Sequence, residues 1–355
     1  MFREQHGIAG VLSVLAAMAR ELNWGRDLTA GEHEARPLSP HGLLRFGDAD
    51  NVFRNGRQKD FNVSIPNDGS METIELFEAP AKVNFGLWVG PRQSDGFHPV
   101  LSVMQTVTLT DTVVVRVAES PQAARWQSTD PCLTWTPDNL VYQTYQWLAT
   151  FGQLPALDIR LTKRIPMGAG LGGGSADAAA LLRWAELRDP GGRWKTQIGA
   201  LGQDVPFMWH GGTAQATGYG AVLQPLPPLR SGAAVLANPG FSVSTSAVYE
   251  AFDGLSLADS PRSRMQETVA AVASGDLPDG MVNALEPAVF RVAPALRDFR
   301  DWLQSAFRPA QWYLSGSGAT YYSVGPDIEW ANWLARRMTD RGVSWARAVG
   351  WQGRY

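Results

Sequence analysis

The sequence predicts a mixed α and β protein that is built as two lobes. Its 355 residues exceed the usual size of one domain, which is about 100–200 residues. Stretches with strand-like alternation and stretches with helical spacing are interleaved in both halves of the chain. A proline-rich stretch at residues 222–232 lies between the halves and predicts a domain boundary near residue 228.

Elements of the first half follow a segment without clear periodicity. Residues 21–70 are charged and rich in glycine and asparagine, and the pattern changes at Met71. Beyond it the patterns predict strands over 72–77, 100–117 with a turn near Asp111, and 157–163, and helices over 139–151 and from Ser175 onward.

Elements of the second half follow the proline-rich stretch. The patterns predict strands over 233–237 and 311–314, helices over 262–274, 294–306 and 328–341, and a short final strand.

The composition excludes several classes of protein. Hydrophobic residues make up 45% of the chain and charged residues 18%, which is enough apolar material for a buried core. A net charge of -3 argues against a nucleic-acid partner, since such proteins usually carry a basic surplus. The single cysteine, Cys132, excludes an internal disulfide and a cysteine-rich zinc site.

No apolar run is long enough for a spanning helix, so we expect a cytoplasmic protein without a membrane partner. Residues 7–19 resemble the apolar region of a secretory signal. The alternative interpretations are a short amphipathic helix and a segment that is not part of the working protein.

A glycine-rich loop at residues 166–175 is the most informative stretch. It has five glycines in seven residues and leads into the alanine-rich helix, which favours an anion such as a nucleotide phosphate. Ser175 could cap the helix, bind a phosphate oxygen or reach a magnesium ion, and Asp177 in the first turn suits the helix dipole.

Three interpretations of this loop compete. The first is a flexible turn before a capped helix. The second is dinucleotide binding, because Gly168, Gly170 and Gly173 match the Rossmann spacing, but the expected acidic residue, Asp189, follows a helix and not a strand. The third is the phosphate loop of a kinase, which is not a Walker loop because no Gly-Lys-Ser/Thr follows.

Residues 166–180 resemble the second signature of the GHMP kinase superfamily. Residues 79–84 (APAKVN) resemble its first motif and residues 315–320 (SGSGAT) its third. Three further segments narrow the resemblance to the family whose acceptor is a cytidine diphosphate-linked methylerythritol: residues 95–106, 201–207 and 283–287. The resemblance begins near residue 72 and does not cover the first 70 residues.

The resemblance implies a two-lobe α+β GHMP kinase fold, with a ribosomal-S5-domain-2-like N-terminal lobe and a ferredoxin-like C-terminal lobe. It predicts an N-terminal (ATP-binding) domain over residues 71–228 and a C-terminal domain over 229–355. Residues 1–70 are expected to be an extension that is disordered or not translated, with Met71 as the natural start. We expect a monomer or weak homodimer.

The implied activity is ATP- and Mg2+-dependent phosphorylation of the acceptor's 2-hydroxyl in the non-mevalonate route to isopentenyl diphosphate. Asp204 would be the base and Lys82 its charge partner. Substrate would be held by Asn84, Phe97, His98 and Tyr249, although Tyr249 is as readily interpreted as a core helix aromatic. ATP would be held by Pro166, Met167, Gly168, Ala169, Gly170, Leu171, Gly172, Gly173, Gly174, Ser175 and Ala176.

Some positions depart from the family pattern. Phe97 stands where tyrosine is common, Pro99 replaces a glutamate, Gln203 replaces an alanine, and the connection over 183–200 is short. Two alternatives therefore stay open. One is a mevalonate- or homoserine-type kinase, against which the Phe97-His98 segment argues. The other is a non-catalytic nucleotide-binding relative, against which the presence of both Lys82 and Asp204 argues.

Overall fold

A computed structural model of the chain describes residues 45–46, 61–67, 70–122, 124–255 and 262–354. The signal-like segment at residues 7–19 and most of the predicted extension lie outside the described residues. What is described of the chain belongs to one compact unit, residues 44–355.

The first lobe is built on a sheet with the strand order β1-β2-β3-β4-β6-β5, and β7 pairs with β4 and β8. Neighbouring strands are antiparallel except β5 and β6. The strands are β1 (Arg45–Phe46), β2 (Phe61–Asn67), β3 (Ser70–Val89), β4 (Val100–Val117), β5 (Trp126–Ser128), β6 (Leu157–Thr162), β7 (Thr213–Thr217) and β8 (Val222–Pro225).

The helices of this lobe are α1 (Leu140–Ala149), α2 (Gly173–Arg188) and α3 (Val205–His210), with a 3-10 helix at Arg193–Ala200. Residues 176–185 of α2 are all buried, so this helix runs through the core. Four of the first five buried residues, Ala176 and the three at 178–180, are alanines. Because these side chains are small, neighbouring elements can pack closely around the helix. The glycine loop is therefore anchored at the start of a rigid element.

The second lobe has an antiparallel sheet of the order β10-β11-β9-β12. Its strands are β9 (Ala233–Asn238), β10 (Tyr313–Leu314), β11 (Tyr321–Gly325) and β12 (Trp345–Gly350). Its helices are α4 (Thr245–Asp253), α5 (Arg262–Ala273), α6 (Glu286–Val292), α7 (Ala295–Ala306) and α8 (Ile328–Asp340). All six residues of β9 are buried, which makes it the centre of this lobe.

Two local expectations need correction. The predicted turn near Asp111 is absent, since β4 runs through it without interruption. Asp111 is instead a buried carboxylate that accepts the amide hydrogen of Ile165 at 2.9 Å. The proline-rich stretch also begins with a strand, because Val222–Pro225 pairs with β7. The domain boundaries at residues 70 and 228 stay predictions.

Both sheets contribute to one shared core. Phe85 and Val103 from the first sheet are fully buried with Leu236 and Tyr322 from the second. The Tyr322 hydroxyl donates to the Asn84 carbonyl oxygen at 2.7 Å. Packing between the lobes thus fixes the strand that carries the first motif. Among the described residues, no helix has the length and apolar character needed to cross a membrane.

Candidate active site

A cavity of about 960 Å³ opens between the glycine loop, the first motif and helix α4. It brings together residues that are far apart in the sequence and come from both lobes. The predicted site residues that line it are Lys82, Asn84, Phe97, His98, Pro166, Met167, Gly168, Ala169, Gly170, Gly172, Gly173, Gly174, Ser175, Asp204 and Tyr249. Leu171 and Ala176 are buried beneath the loop.

Lys82 and Asp204 face each other in this cavity. The Lys82 Nζ lies 3.3 Å from Asp204 Oδ2 and donates to Asn84 Oδ1 at 2.5 Å. The lysine side chain is only 5% exposed, whereas that of Asp204 is 34% exposed. The ammonium is thus held inside the protein while the carboxylate stays accessible to a ligand in the cavity.

Strand β3 positions Lys82 and Asn84 through local irregularities. Its register against β4 shifts between Pro80 and Lys82 and again between Asn84 and Leu87. Such bulges re-aim side chains and are common beside active sites. Between the shifts, the Lys82 amide donates to the Leu171 carbonyl oxygen at 2.9 Å, which ties the strand to the glycine loop.

Asp204 immediately precedes α3, a short helix with a proline in its first turn. The residues that follow, Val205, Pro206 and Phe207, are buried and hold this end of the helix in the core. Asn84 is fixed in turn by Ser102, whose hydroxyl accepts from Asn84 Nδ2 at 2.9 Å. Both functional side chains therefore start from well-packed backbone.

Three glycines of the loop adopt left-handed backbone: Gly168 (φ 60°), Gly170 (φ 73°) and Gly172 (φ 69°). At Gly170 an added Cβ would lie 2.1 Å from the Ser315 carbonyl oxygen, so a side chain has no room there. A Cβ at Gly174 would meet no atom within 4 Å, since this position faces open space. The amides at the start of α2 are accordingly open to an anion.

The structure corrects two details of this loop. Gly172, not Ser175, is the N-cap residue of α2, so Ser175 lies within the first turn. Asp177 does not serve the helix dipole at the surface, because its carboxylate is buried against Lys163 Nζ at 2.7 Å. Lys163 also pairs with Asp111, so a buried cluster of three ionisable side chains lies under the loop.

The third motif packs on the glycine loop from the second lobe. Ser315 Oγ donates to the Gly170 carbonyl oxygen at 2.9 Å, and the Thr320 amide donates to the Ala169 carbonyl oxygen at 3.1 Å. Asn283 Nδ2 donates to the Gly316 carbonyl oxygen at 2.8 Å, which supports the motif from behind. Gly316 and Ser317 reach the cavity wall.

Residues 90–99 form the far rim of the cavity. The Phe97 side chain is 58% exposed, and its ring centroid lies 5.6 Å from that of Tyr219. The Tyr219 hydroxyl is hydrogen bonded to Asp95, and this bond is the main reason why the pKa of the Asp95 carboxyl is lowered. Two accessible aromatic rings thus stand at one edge of the site.

His98 belongs to the same segment, but its side chain is buried. Its ring centroid lies 5.5 Å from that of Tyr249 and 5.5 Å from that of Phe252. Burial, and then the charge of Asp204, raise the pKa of the Tyr249 hydroxyl to about 12. The Tyr249 hydroxyl therefore stays protonated. Tyr249 lies on helix α4, and the charge of Asp204 contributes to its raised pKa.

Several cavity residues were not found by sequence reasoning. Residues 132–134 and 138–141 line the cavity, as do Tyr219 and Asp253. Asn139 was detectable, because it caps α1 by accepting from the Val141 amide at 2.9 Å. Nothing in the local sequence around Tyr219 or Asp253 indicates that the fold brings them to the site.

The arrangement combines three chemical features. A carboxylate beside an ammonium can take a proton and stabilise developing negative charge. A glycine loop at a helix start can bind phosphate. Exposed aromatic rings can stack on a planar base. Among the described residues, no three histidine, cysteine or acidic side chains converge as a metal site.

Residues 139–188 match the family GHMP kinases N terminal domain. The fold and site together define a GHMP kinase, an ATP-dependent phosphotransferase that acts on a small molecule. The chain is 36% identical over 284 residues to the 4-diphosphocytidyl-2-C-methyl-D-erythritol kinase of Heliobacterium modesticaldum, covering 74% of this chain and 90% of that relative. It belongs to the family of 4-diphosphocytidyl-2-C-methyl-D-erythritol kinases.

Two further similarities agree. The kinase of the same name from Pelotomaculum thermopropionicum is 37% identical over 273 residues, covering 73% of this chain and 92% of that relative. A crystal structure of 4-(cytidine 5'-diphospho)-2C-methyl-D-erythritol kinase superimposes with a TM-score of 0.61 at 33% identity, covering 78% of this chain and 99% of that chain. The family and the two-lobe fold expected from the motifs are thus confirmed.

Proposed function

We propose that this kinase transfers the γ-phosphoryl group of ATP to the 2-hydroxyl of 4-diphosphocytidyl-2-C-methyl-D-erythritol. This is the kinase step of the non-mevalonate route to isopentenyl diphosphate. The observation that carries the proposal is the 3.3 Å pairing of Lys82 with Asp204 in a cavity that also contains the glycine loop and an aromatic rim. The names of the relatives support the same acceptor.

Transfer would be direct, without a phosphoenzyme. Asp204 takes the proton of the acceptor hydroxyl as that oxygen attacks phosphorus. Lys82 neutralises charge on the transferring group, and its short bond to Asn84 holds the ammonium in place. The third motif would close the phosphate side from the second lobe.

ATP would lie along the wall that the glycine loop and α1 share. Its phosphates would accept from backbone amides of the glycine loop and the first turn of α2, and its base would lie against residues 132–141. Mg2+ usually binds through few protein ligands together with phosphate and water. The Ser175 hydroxyl is the group in the first turn of α2 that fits this role, and the bound ion would neutralise phosphate charge.

The acceptor would occupy the remaining part of the cavity. Its cytosine ring would stack on Phe97, with Tyr249 on the other side, while Asn84 orients the reacting end. His98 supports this subsite. We propose a cytoplasmic enzyme, a monomer or weak homodimer, with an ATP-binding domain over residues 71–228 and a second domain over residues 229–355.

The test is ADP release by the full chain with MgATP and the cytidyl acceptor, mevalonate or homoserine. We expect turnover with the cytidyl acceptor alone. Asp204→Asn should lower kcat by about 10²–10⁴-fold, the usual contribution of a general base, while ATP binding is retained. Equal turnover of mevalonate would contradict the acceptor, and wild-type kcat in the variant would contradict the base.

The non-catalytic alternative makes the opposite prediction. A nucleotide-binding relative would bind ATP and release no ADP with any acceptor. In that case Asp204→Asn would change ligand affinity and not turnover.

A further inference from the structure

Asp253, the last residue of α4, joins the second lobe to the rim of the acceptor subsite. Its Oδ1 lies 3.1 Å from His98 Nε2, and its Oδ2 accepts from Arg92 Nη1 at 3.0 Å. Each carboxylate oxygen thus has its own partner, and both partners belong to residues 90–99. The histidine side chain is only 5% exposed, so this contact is shielded from water.

The second ring nitrogen of His98 is also engaged. Nδ1 lies 2.9 Å from the Gly90 carbonyl oxygen, which can only accept. Nε2 lies 3.1 Å from Asp253 Oδ1, so each ring nitrogen has a protein oxygen within hydrogen-bond distance. These two contacts hold the His98 ring between Gly90 and Asp253.

The contacts close residues 90–99 into a compact rim. The Gly90 amide donates to the Pro99 carbonyl oxygen at 2.7 Å, and the Gln93 amide donates to the Phe97 carbonyl oxygen at 2.8 Å. Arg92 Nε donates to the Gly96 carbonyl oxygen at 3.0 Å. The segment that carries Phe97 is therefore attached to the Asp253 carboxylate near both of its ends, through Arg92 and through His98.

We propose that Asp253 is a positioning residue for the acceptor. It acts through His98 and Arg92 to hold residues 90–99 against α4, so that Phe97 faces the cavity. His98 is then the link between Gly90 and Asp253. This inference rests on the proposed function for the identity of the acceptor.

The first experiment compares Asp253→Asn with a matched control, Asp340→Asn, which removes an exposed carboxylate from the last residue of α8, outside the cavity. Asp253→Asn should raise the KM for the cytidyl acceptor by about tenfold, the cost of weakening a hydrogen bond to a charged group. The KM for ATP and kcat should stay within twofold, and Asp340→Asn should change none of these three parameters. The proposal would be overturned if Asp253→Asn changed the KM for the acceptor and the KM for ATP equally, or if it changed neither.

A double-mutant cycle tests whether Asp253 acts through His98. Once His98→Gln is present, adding Asp253→Asn should change the acceptor KM by less than twofold, because the shared contact is already lost. Fully additive effects would show that the two residues act separately and would overturn the proposed link.

Hydrogen exchange separates this inference from the proposed function, because it needs no substrate. In Asp253→Asn the amides of Gly90, Gln93 and Gly96 should exchange at least fivefold faster than in wild type, whereas Asp340→Asn should leave them unchanged. Unchanged exchange in Asp253→Asn would overturn the inference. If wild type has no activity on the cytidyl acceptor, the proposed function fails and this measurement still decides the positioning role.

Discussion

The Lys82 ammonium has two neighbours that fix it, Asn84 at 2.5 Å and Asp204 at 3.3 Å. Because the ammonium is already held in place, little reorganisation is needed when negative charge develops beside it. Lys82→Met removes the charge and keeps much of the side-chain volume. We expect kcat to fall by about 10²–10³-fold with the KM for ATP changed far less, measured by steady-state ADP release. A kcat within threefold of wild type would contradict the role of Lys82.

Asp111, Lys163 and Asp177 form a second charged group, buried beneath the glycine loop. Two carboxylates face one ammonium there, and Asp111 also accepts the amide hydrogen of Ile165. Burial raises the pKa of the Asp177 carboxyl to about 8; the Lys163 charge opposes this shift and the Asp111 charge adds to it. Asp177 therefore keeps its proton in the folded protein at pH values where the unfolded chain has lost it.

This shift predicts a pH dependence of the free energy of unfolding. The native state binds the extra proton between the ordinary carboxyl pKa near 4 and the raised value of about 8, so stability falls as the pH rises across that range. Asp177→Asn keeps the shape and cannot ionise, so its stability should decline less between pH 5 and pH 8.5. Urea unfolding at several pH values measures this. Parallel curves for the two proteins would contradict the raised pKa.

Helices and strands with a regular pattern of apolar residues could be predicted from the sequence, whereas some short elements could not. The first part of β3 (residues 72–77), strand β6 and helices α1 and α8 follow from periodicity, because each buries one regular set of side chains. The remainder of β3 was not predicted. Helix α4 was missed, although Ser244, its N-cap, and Gly254, after its last residue, were visible in the sequence.

Local sequence patterns likewise revealed only part of the candidate active site. The motifs placed Lys82, Asp204 and the glycine loop in one cavity, because their spacing is specific. Asp111 looked like a turn residue, since its partner Lys163 lies on another strand end. The contact between His98 and Asp253 joins two lobes, so only the folded chain brings it together.

The glycine loop allows a matched test of one element. Gly170→Ala places a Cβ 2.1 Å from the Ser315 carbonyl oxygen at φ 73°, whereas a Cβ at Gly174 meets nothing within 4 Å. We expect Gly170→Ala to lower the free energy of unfolding by at least about 2 kcal/mol. Gly174→Ala should be neutral or raise it by up to about 1 kcal/mol, since alanine favours helix. Equal effects in chemical denaturation would contradict the close packing at Gly170.

For the molecule as a whole, the shared core decides whether the lobes unfold together. Phe85 is fully buried, with its ring 5.4 Å from Trp351 and 6.1 Å from Tyr322 of the second lobe. Backbone bonds also cross between the lobes, as from the Leu87 amide to the Val282 carbonyl oxygen at 2.8 Å. Separate unfolding would expose this apolar surface, so the lobes are expected to unfold in a single transition.

Phe85→Ala tests this coupling, with Phe241→Ala at a 39% exposed position as its control. Emptying the shared core should cost about 3–5 kcal/mol, while the control should change stability by less than about 0.5 kcal/mol. Calorimetry of both variants should show one transition whose calorimetric and van't Hoff enthalpies agree, because loss of this ring weakens both lobes equally. Two resolved transitions, with only one shifted by Phe85→Ala, would instead mean that the boundary near residue 228 separates independently stable domains.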